Sequence, residues 1–369
     1  MNNLLASIEQ VTLMGPGPSC ISDEVFKAMA LPTLGHMDKD FILIMDGIKE
    51  MLQKVMATKN RLTVPVSGTG SAGMETCFVN LIEPGDAVLI LKNGVFGNRM
   101  FDVASRLGAQ VDAVDAKWGT PILIDSVKEQ LAKKPYKIVA IVHAETSTGV
   151  LNPIREIGNL VHQNGALYLV DAVTSLGGIP VPTDEIGIDA LYSGSQKCLS
   201  CPPGLSPVSF SDRAVHAITN RRKKVPNWYL DMNMIIQYWH GANRVYHHTA
   251  PINMLYGLYQ SLYLILEEGL EAVYQRHMKY HTMLVSELES MGLQMLVKSG
   301  YRLPMLNAVI VPDSVNEVKI RNELRNTYHI EIGAGLGDLA GKIFRIGLMG
   351  HTAREENVIK IVSALKKLL

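Results

Sequence analysis

From Val64 to Phe210, short apolar runs alternate with stretches of helically spaced apolar positions. Ala87 to Leu91 (AVLIL) is unbroken, follows the turn signal Pro84-Gly85-Asp86, and predicts a buried strand. Phe96, Val103 and Leu107 then fall near helical spacing over Val95 to Leu107. The series continues with a strand at Val111 to Val114, a helix at Ser126 to Lys133 and a strand at Lys137 to His143. Pro153 opens a helix that ends near Gly165, and Ala166 to Val170 (ALYLV) is another buried strand. Asp189 to Tyr192 and Pro207 to Phe210 extend the pattern. This alternation predicts an α/β fold, a mostly parallel sheet with helices on both faces. Ligands in such sheets bind at the carboxyl ends of the strands, so the chemistry is expected there.

From about Met254 the pattern changes. One long helical segment runs through Leu262, Leu266, Leu270 and Val273 towards Met291. Strand-like runs at Asn307 to Val311 and Ile343 to Leu348 flank a helix near Asn316 to Arg325, and a last helix places Val358, Ile361, Val362 and Leu365 on one face. These elements predict a smaller α+β domain, joined to the first along a helix.

Composition narrows the function classes. The 369 residues are 47% apolar and 19% charged, which excludes a disordered chain. Lys plus Arg and Asp plus Glu both number 35, so the net charge is zero, without the basic surplus of a nucleic-acid binder. Four cysteines (Cys20, Cys77, Cys198, Cys201) are too few for a secreted disulfide framework. Met1 to Gln10 carries Glu9 and lacks the basic and apolar regions of a signal peptide, and no run approaches the ~18 apolar residues of a membrane span. A cytoplasmic protein is expected.

Gly68-Thr69-Gly70-Ser71-Ala72-Gly73 matches G-x-G-x-x-G between a strand-like Leu62 to Val66 and a helix through Met74, Cys77, Phe78, Leu81 and Ile82. An NAD-dependent dehydrogenase would also need an acidic residue ending the next strand, but Ala87 to Leu91 ends in Lys92-Asn93. What remains is an anion cradle for one phosphate at a helix N-terminus, or a turn that needs glycines for tight packing. Asp171 ends the apolar run ALYLV, and Lys197 lies in the small polar turn Tyr192 to Lys197 (YSGSQK) past another strand. A phosphate cradle, a carboxylate and a lysine at one sheet edge suit a cofactor with a phosphate, a basic ring nitrogen and an aldehyde. Pyridoxal 5'-phosphate (PLP) has all three.

The sequence resembles the class V aminotransferases of fold type I, nearest to the alanine–glyoxylate and serine–pyruvate branch. The matching segments are Gly15 to Ser19 (GPGPS), Leu34 to Asp38 (LGHMD), Ser67 to Ser71, His143 to Gly149 (HAETSTG) and Asp171 to Gly178 (DAVTSLGG). YSGSQK, Pro202-Pro203-Gly204, Tyr246 to Thr249 (YHHT) and Arg345-Ile346-Gly347 complete the set, nearly end to end. The resemblance implies a large domain with a mostly parallel, seven-stranded type of sheet, residues 21–255. A smaller α+β domain would follow at 256–369, and an N-terminal arm at 1–20 would contribute to the dimer and the active site.

It also implies roles. Lys197 corresponds to the lysine that holds PLP as an internal aldimine, and Asp171 to the carboxylate paired with the pyridine nitrogen. Thr69, Gly70 and Ser71, with Gln196, correspond to the phosphate site, and Phe96 to the aromatic residue stacked on the ring. Thr146 lies near the phenolic oxygen and Ser175 is close to the cofactor. Arg345 receives the substrate α-carboxylate, and Gly17 and His36 fall in substrate-side segments. Tyr246 and Thr249 reach the neighbouring subunit's phosphate, which implies a homodimer with shared active sites. The implied reaction moves an amino group from a small amino acid, alanine or serine, to a 2-oxo acid, glyoxylate or pyruvate. A ureidoglycine–glyoxylate aminotransferase is the near alternative, and that branch tends to depart at the positions of His36 and Tyr246. A cysteine desulfurase would need a cysteine in its second half, but none follows Cys201. Cys198 and Cys201 form a C-x-x-C that is either a redox pair or two small apolar side chains. His240, His247 and His248 lack the acidic or cysteine partners of a metal site, and none is expected.

Overall fold

The computed structural model describes residues 4–240 and 244–369; residues 1–3 of the expected arm lie outside that range. Seven strands form the central sheet in the order Leu62–Ser67, Leu205–Phe210, Ala190–Tyr192, Leu167–Asp171, Ile138–Val142, Ala87–Lys92, Gln110–Asp115. Leu205–Phe210 is antiparallel to both of its neighbours, and every other pair is parallel. Ile138–Val142 and Leu167–Asp171 are buried at every position, as expected for strands covered by helices on both faces. The register aligns Val142, Asp171 and Tyr192 across three adjacent strands, so their carboxyl ends make one edge.

The expected elements lie within a few residues of their observed bounds. Pro153 precedes the helix Ile154–Asn164, and Gly165 closes it in the left-handed conformation that glycine adopts without strain. The strand expected from Pro207 begins at Leu205, because Pro207 faces Pro65 in register and neither needs an amide donor towards the other.

The single long helix is corrected. It is two helices, Ile252–Glu268 and Leu270–Ser290, broken at Gly269 (φ 88°, ψ 131°). The apolar spacing runs through the break unchanged, which is why the periodicity hid it. Across the break the Arg276 guanidinium donates twice to the Glu268 carboxylate, at 2.6 and 2.9 Å.

One apolar cluster fills both faces of the large sheet and includes Leu258, Leu262, Ile265 and Val273. A second gathers Met14, Leu284, Phe344, Ile346, Val358, Ile361 and Leu365 beside a three-stranded sheet of Leu306–Ile310, Ile343–Gly347 and Gly333–Ala334. Near the N-terminus, Thr12–Leu13 pairs in parallel with Ile330–Glu331, so the chain's first strand belongs to its last body. Among the described residues no helix is long and apolar enough to cross a membrane.

Candidate active site

At the end of Leu62–Ser67 the chain turns at Gly68 (φ 149°), where a Cβ would approach that of Ala72 to 2.6 Å. Thr69 then caps the helix Gly70–Leu81 with its own side chain uncommitted; the Ala72 amide donates to the Thr69 carbonyl at 2.7 Å, and the Gly70 and Ser71 amides precede any intrahelical acceptor. The third glycine of the motif, Gly73, packs the helix against Ser206 and Tyr192. The next strand ends on Lys92, which pairs with Asp115 at 2.7 Å, so a ribose-binding acid is absent there.

Asp171 closes its strand at 6% exposure. Its carboxylate accepts from the Val173 amide at 2.8 Å and the Tyr192 hydroxyl at 2.7 Å. Burial pushes this carboxyl up to about 6, with those two bonds and the charges of Lys197 and Arg99 pulling it down. The Lys197 ammonium donates to the Pro16 carbonyl. Burial lowers it to about 8; the nearby Arg345 charge acts in the same direction, while Cys198 and Asp171 oppose.

An open cavity of about 560 Å³ brings together Thr69, Gly70, Ser71, Phe96, Thr146, Asp171, Gln196 and Lys197. Gly17 (φ 102°) abuts it: a Cβ there would lie 2.6 Å from Lys197 Cδ. Arg345, 5% exposed, stands behind the wall and donates to the Thr146 carbonyl at 3.2 Å and the Ala334 carbonyl at 2.6 Å. Its neighbours Phe344 and Ile346 point into the apolar cluster, as strand alternation requires. Ser175 does not line the cavity; it is buried, its hydroxyl has no partner, and Thr174 takes the lining position. His36, Tyr246 and Thr249 also lie outside the cavity. The His36 and Tyr246 rings are 4.9 Å apart, the Tyr246 and Thr249 hydroxyls 3.3 Å apart, and Tyr246 is 54% exposed.

Sequence reasoning assigned no role to Arg99, Tyr192 or Glu145. Arg99 lines the cavity with its guanidinium 5.1 Å from the Phe96 ring centre, and its spacing of three from Phe96 on a helix was the available signal. Tyr192 and Glu145, like Asp171, are polar residues at the carboxyl edge. The cysteines of the C-x-x-C pack into separate apolar clusters, and burial pushes both thiols up to about 12. Neither is disulfide-bonded. Among the described residues no three His, Cys, Asp or Glu side chains gather as metal ligands do.

The lining suits PLP. Gln196 and the Thr69–Ser71 turn line one cavity and offer N–H donors to a phosphate, and Asp171 is a carboxylate whose cost of burial a ring cation would offset. A lysine with a lowered pKa stands on the same cavity. With its mostly parallel sheet, this edge defines a fold type I PLP-dependent enzyme. The chain belongs to the class V aminotransferases: the model of that family, "Aminotransferase class-V", matches residues 23–356. It is a PLP-dependent transaminase, and the dehydrogenase alternative is set aside.

Among solved structures it resembles the alanine–glyoxylate aminotransferase of Nostoc sp., with TM-score 0.96, 46% identity, and coverage of 98% of this chain and 96% of that one. The alanine–glyoxylate aminotransferase of Mus musculus is 41% identical over 366 residues, 98% of this chain and 88% of that protein. The (S)-ureidoglycine–glyoxylate transaminase of Bacillus subtilis is 36% identical over 376 aligned positions, 97% of this chain and 90% of the relative.

Proposed function

We propose that this transaminase takes the amino group of alanine or serine and delivers it to glyoxylate or pyruvate, in the cytoplasm, as a homodimer with shared sites. Arg345 carries the reading. A buried guanidinium fixed on a strand behind Thr146 offers the planar fork that grips an α-carboxylate, the group common to all these substrates. The paired rings of His36 and Tyr246 favour this branch over the ureidoglycine one, which tends to depart at both positions.

PLP, when bound, supplies the electron sink for the pair left behind as the donor's Cα loses its proton. The protein does the rest. The open amides of the Thr69–Ser71 turn and the Gln196 side chain hold the phosphate, and Phe96 covers one face of the ring. Asp171 keeps a proton on the ring nitrogen, and a cation beside it pulls its own carboxyl back down. Lys197, lowered to about 8, holds a far larger share of neutral amine near neutral pH than an ordinary lysine, as needed to take the Cα proton and return it one carbon away. Thr146 would border the cofactor's phenolic oxygen, with buried Ser175 close by. Gly17 leaves room for Lys197, and His36 borders the substrate side.

Tyr246 and Thr249 face outward, and we assign them to the neighbouring subunit's phosphate. Exposed Met37, Leu43, Trp228 and Tyr246 provide apolar surface for that contact. We divide the chain into an arm at 1–20, a large domain at 21–255 and a small domain at 256–369; the second cluster, drawn mostly from Leu284 to Leu365, supports a separate last body, while Leu258 to Val273 pack into the large cluster. The sparse, unpaired cysteines support a reducing compartment.

The test is a half-reaction panel. Holoenzyme is mixed with alanine, serine, glycine, aspartate or hydroxykynurenine, and loss of the cofactor's yellow absorbance is followed. Alanine or serine should bleach it fastest, and glyoxylate or pyruvate should restore it. Preference for aspartate or hydroxykynurenine would overturn the substrate assignment.

A further inference from the structure

Glu145 is fully buried, and the chemistry above leaves it unused. It sits in a short hairpin in which Ala144–Glu145 pairs with Val150–Leu151, just past the strand Ile138–Val142. Its Oε1 accepts from the Ser147 hydroxyl at 2.5 Å and the Ser147 amide at 3.2 Å. Its Oε2 accepts from the amides of Phe96 at 3.2 Å and Gly97 at 3.3 Å. The Ser147 hydroxyl in turn accepts from the Val95 amide at 3.0 Å.

The first three amides of the helix Val95–Arg106 are therefore satisfied by side chains 48 to 52 residues further along the chain. The helix cannot cap itself, because its N-cap is Gly94. No other residue fits there: a Cβ on Gly94 would lie 2.5 Å from both Glu145 Cγ and Ser147 Oγ. This helix carries Phe96 and Arg99 into the cavity, while Thr146, between the two capping residues, also lines it and is tied to Arg345. One carboxylate thus joins the ring-covering aromatic to the wall that holds the carboxylate-binding arginine.

We propose that Glu145 is a positioning residue, capping the Val95–Arg106 helix from the hairpin and so fixing Phe96 relative to Thr146 in the cavity where PLP would bind. A carboxylate suits this place, because four donors converge on two oxygens and negative charge at a helix N-terminus is favourable. Glutamine keeps the shape, but its amide turns one acceptor into a donor against Ser147. Alanine leaves the Phe96 and Gly97 amides buried and unpaired.

The inference rests on PLP occupying this cavity, and the experiment separates the two. Apo-protein is titrated with PLP, and the visible circular dichroism per bound PLP reads the ring's environment. Val358→Ala, a core truncation in the other apolar cluster, controls for lost stability. Glu145→Ala should weaken PLP binding about 10- to 100-fold and Glu145→Gln about 3- to 10-fold, each with altered dichroism per bound PLP. Val358→Ala should melt earlier with affinity and dichroism unchanged. If wild-type protein fails to bind PLP, the cavity assignment falls. If it binds and Glu145→Gln matches it in both readouts, or Val358→Ala reproduces the changes, the positioning role is overturned. Glu145→Gln decides the matter should Glu145→Ala not fold.

Discussion

The sheet edge and the outward-facing segment around Tyr246 are built in opposite ways. At the edge, Asp171, Tyr192 and Val142 are set by strand register, buried, and already paired with groups of their own chain. Around Tyr246 the side chains hold one another instead. His247 and His248 approach with their Nδ1 atoms 2.8 Å apart, Trp228 stacks on His247 at 4.4 Å, and His248 Nε2 lies 2.8 Å from the Ser67 hydroxyl. That contact roots the segment beside the Gly68–Ser71 turn while Tyr246 points to solvent. A group that must stabilise developing charge belongs where water is excluded; one that completes a neighbour's site belongs on the surface.

Substitutions in the two regions should fail differently. Lys197→Ala should have the largest effect, lowering transamination by about 10⁴-fold, the upper end of what a positioned base contributes, while PLP still binds through its phosphate. Initial rates and PLP titration check this, and retained turnover would remove Lys197 from its role. Arg345→Lys keeps the charge but loses the fork, so KM for alanine should rise by about 10- to 100-fold with PLP affinity little changed. A rise in the PLP dissociation constant instead would place Arg345 at the cofactor.

Tyr246→Phe should do the reverse, weakening PLP retention by about 5- to 10-fold with KM near normal. Mixed with Lys197→Ala subunits at limiting PLP, it should recover activity, because one site of the mixed dimer carries both defects and the other neither. No recovery, with mixed dimers formed, would return Tyr246 to its own subunit.

The smallest effect is on pH-dependent stability. Burial lifts Glu145 to about 7 and Asp171 to about 6, above the ordinary 4.5 and 3.8 of an unfolded chain. Their protonated forms favour the folded apo-protein, so this contribution is complete below about pH 4 and is lost as pH rises through 6 and 7. Buried His143 and His277, held by desolvation at about 3 and about 4, oppose this over the same range, because their uncharged folded forms gain stability as pH rises towards the ordinary imidazole value; the carboxyl contribution is therefore read from the variant against wild type. Relative to wild type, Glu145→Gln should raise the melting temperature at about pH 8 against that at about pH 5, because the variant no longer loses the Glu145 contribution in that range. An unchanged pH dependence in the variant would mean that Glu145 does not titrate there.

What the sequence made legible was local. A polar residue closing an apolar run pointed to Asp171, a small polar turn past a strand to Lys197, and a glycine motif to Thr69–Ser71. Contacts between distant segments left no such mark. Lys197 meets the Pro16 carbonyl across 181 residues, and Glu145 caps a helix that nothing in HAETSTG announces. Gly269 breaks a helix without disturbing its apolar spacing. Ser175 was placed near the cofactor by resemblance, whereas the turn after Asp171 brings Thr174 to the cavity.

The pairing of Thr12 with Ile330 has a consequence for synthesis on the ribosome. The strand Thr12–Leu13 emerges first, yet its partner is made 330 − 12 = 318 residues later. At about 5–20 residues per second it waits on the order of 15–60 s, with Met14 still outside the cluster that will bury it. The large sheet can close during that interval, but the pairing of Thr12–Leu13 must await synthesis of Ile330–Glu331. The Pro16 carbonyl set against Lys197, only three residues beyond that strand, is therefore placed late.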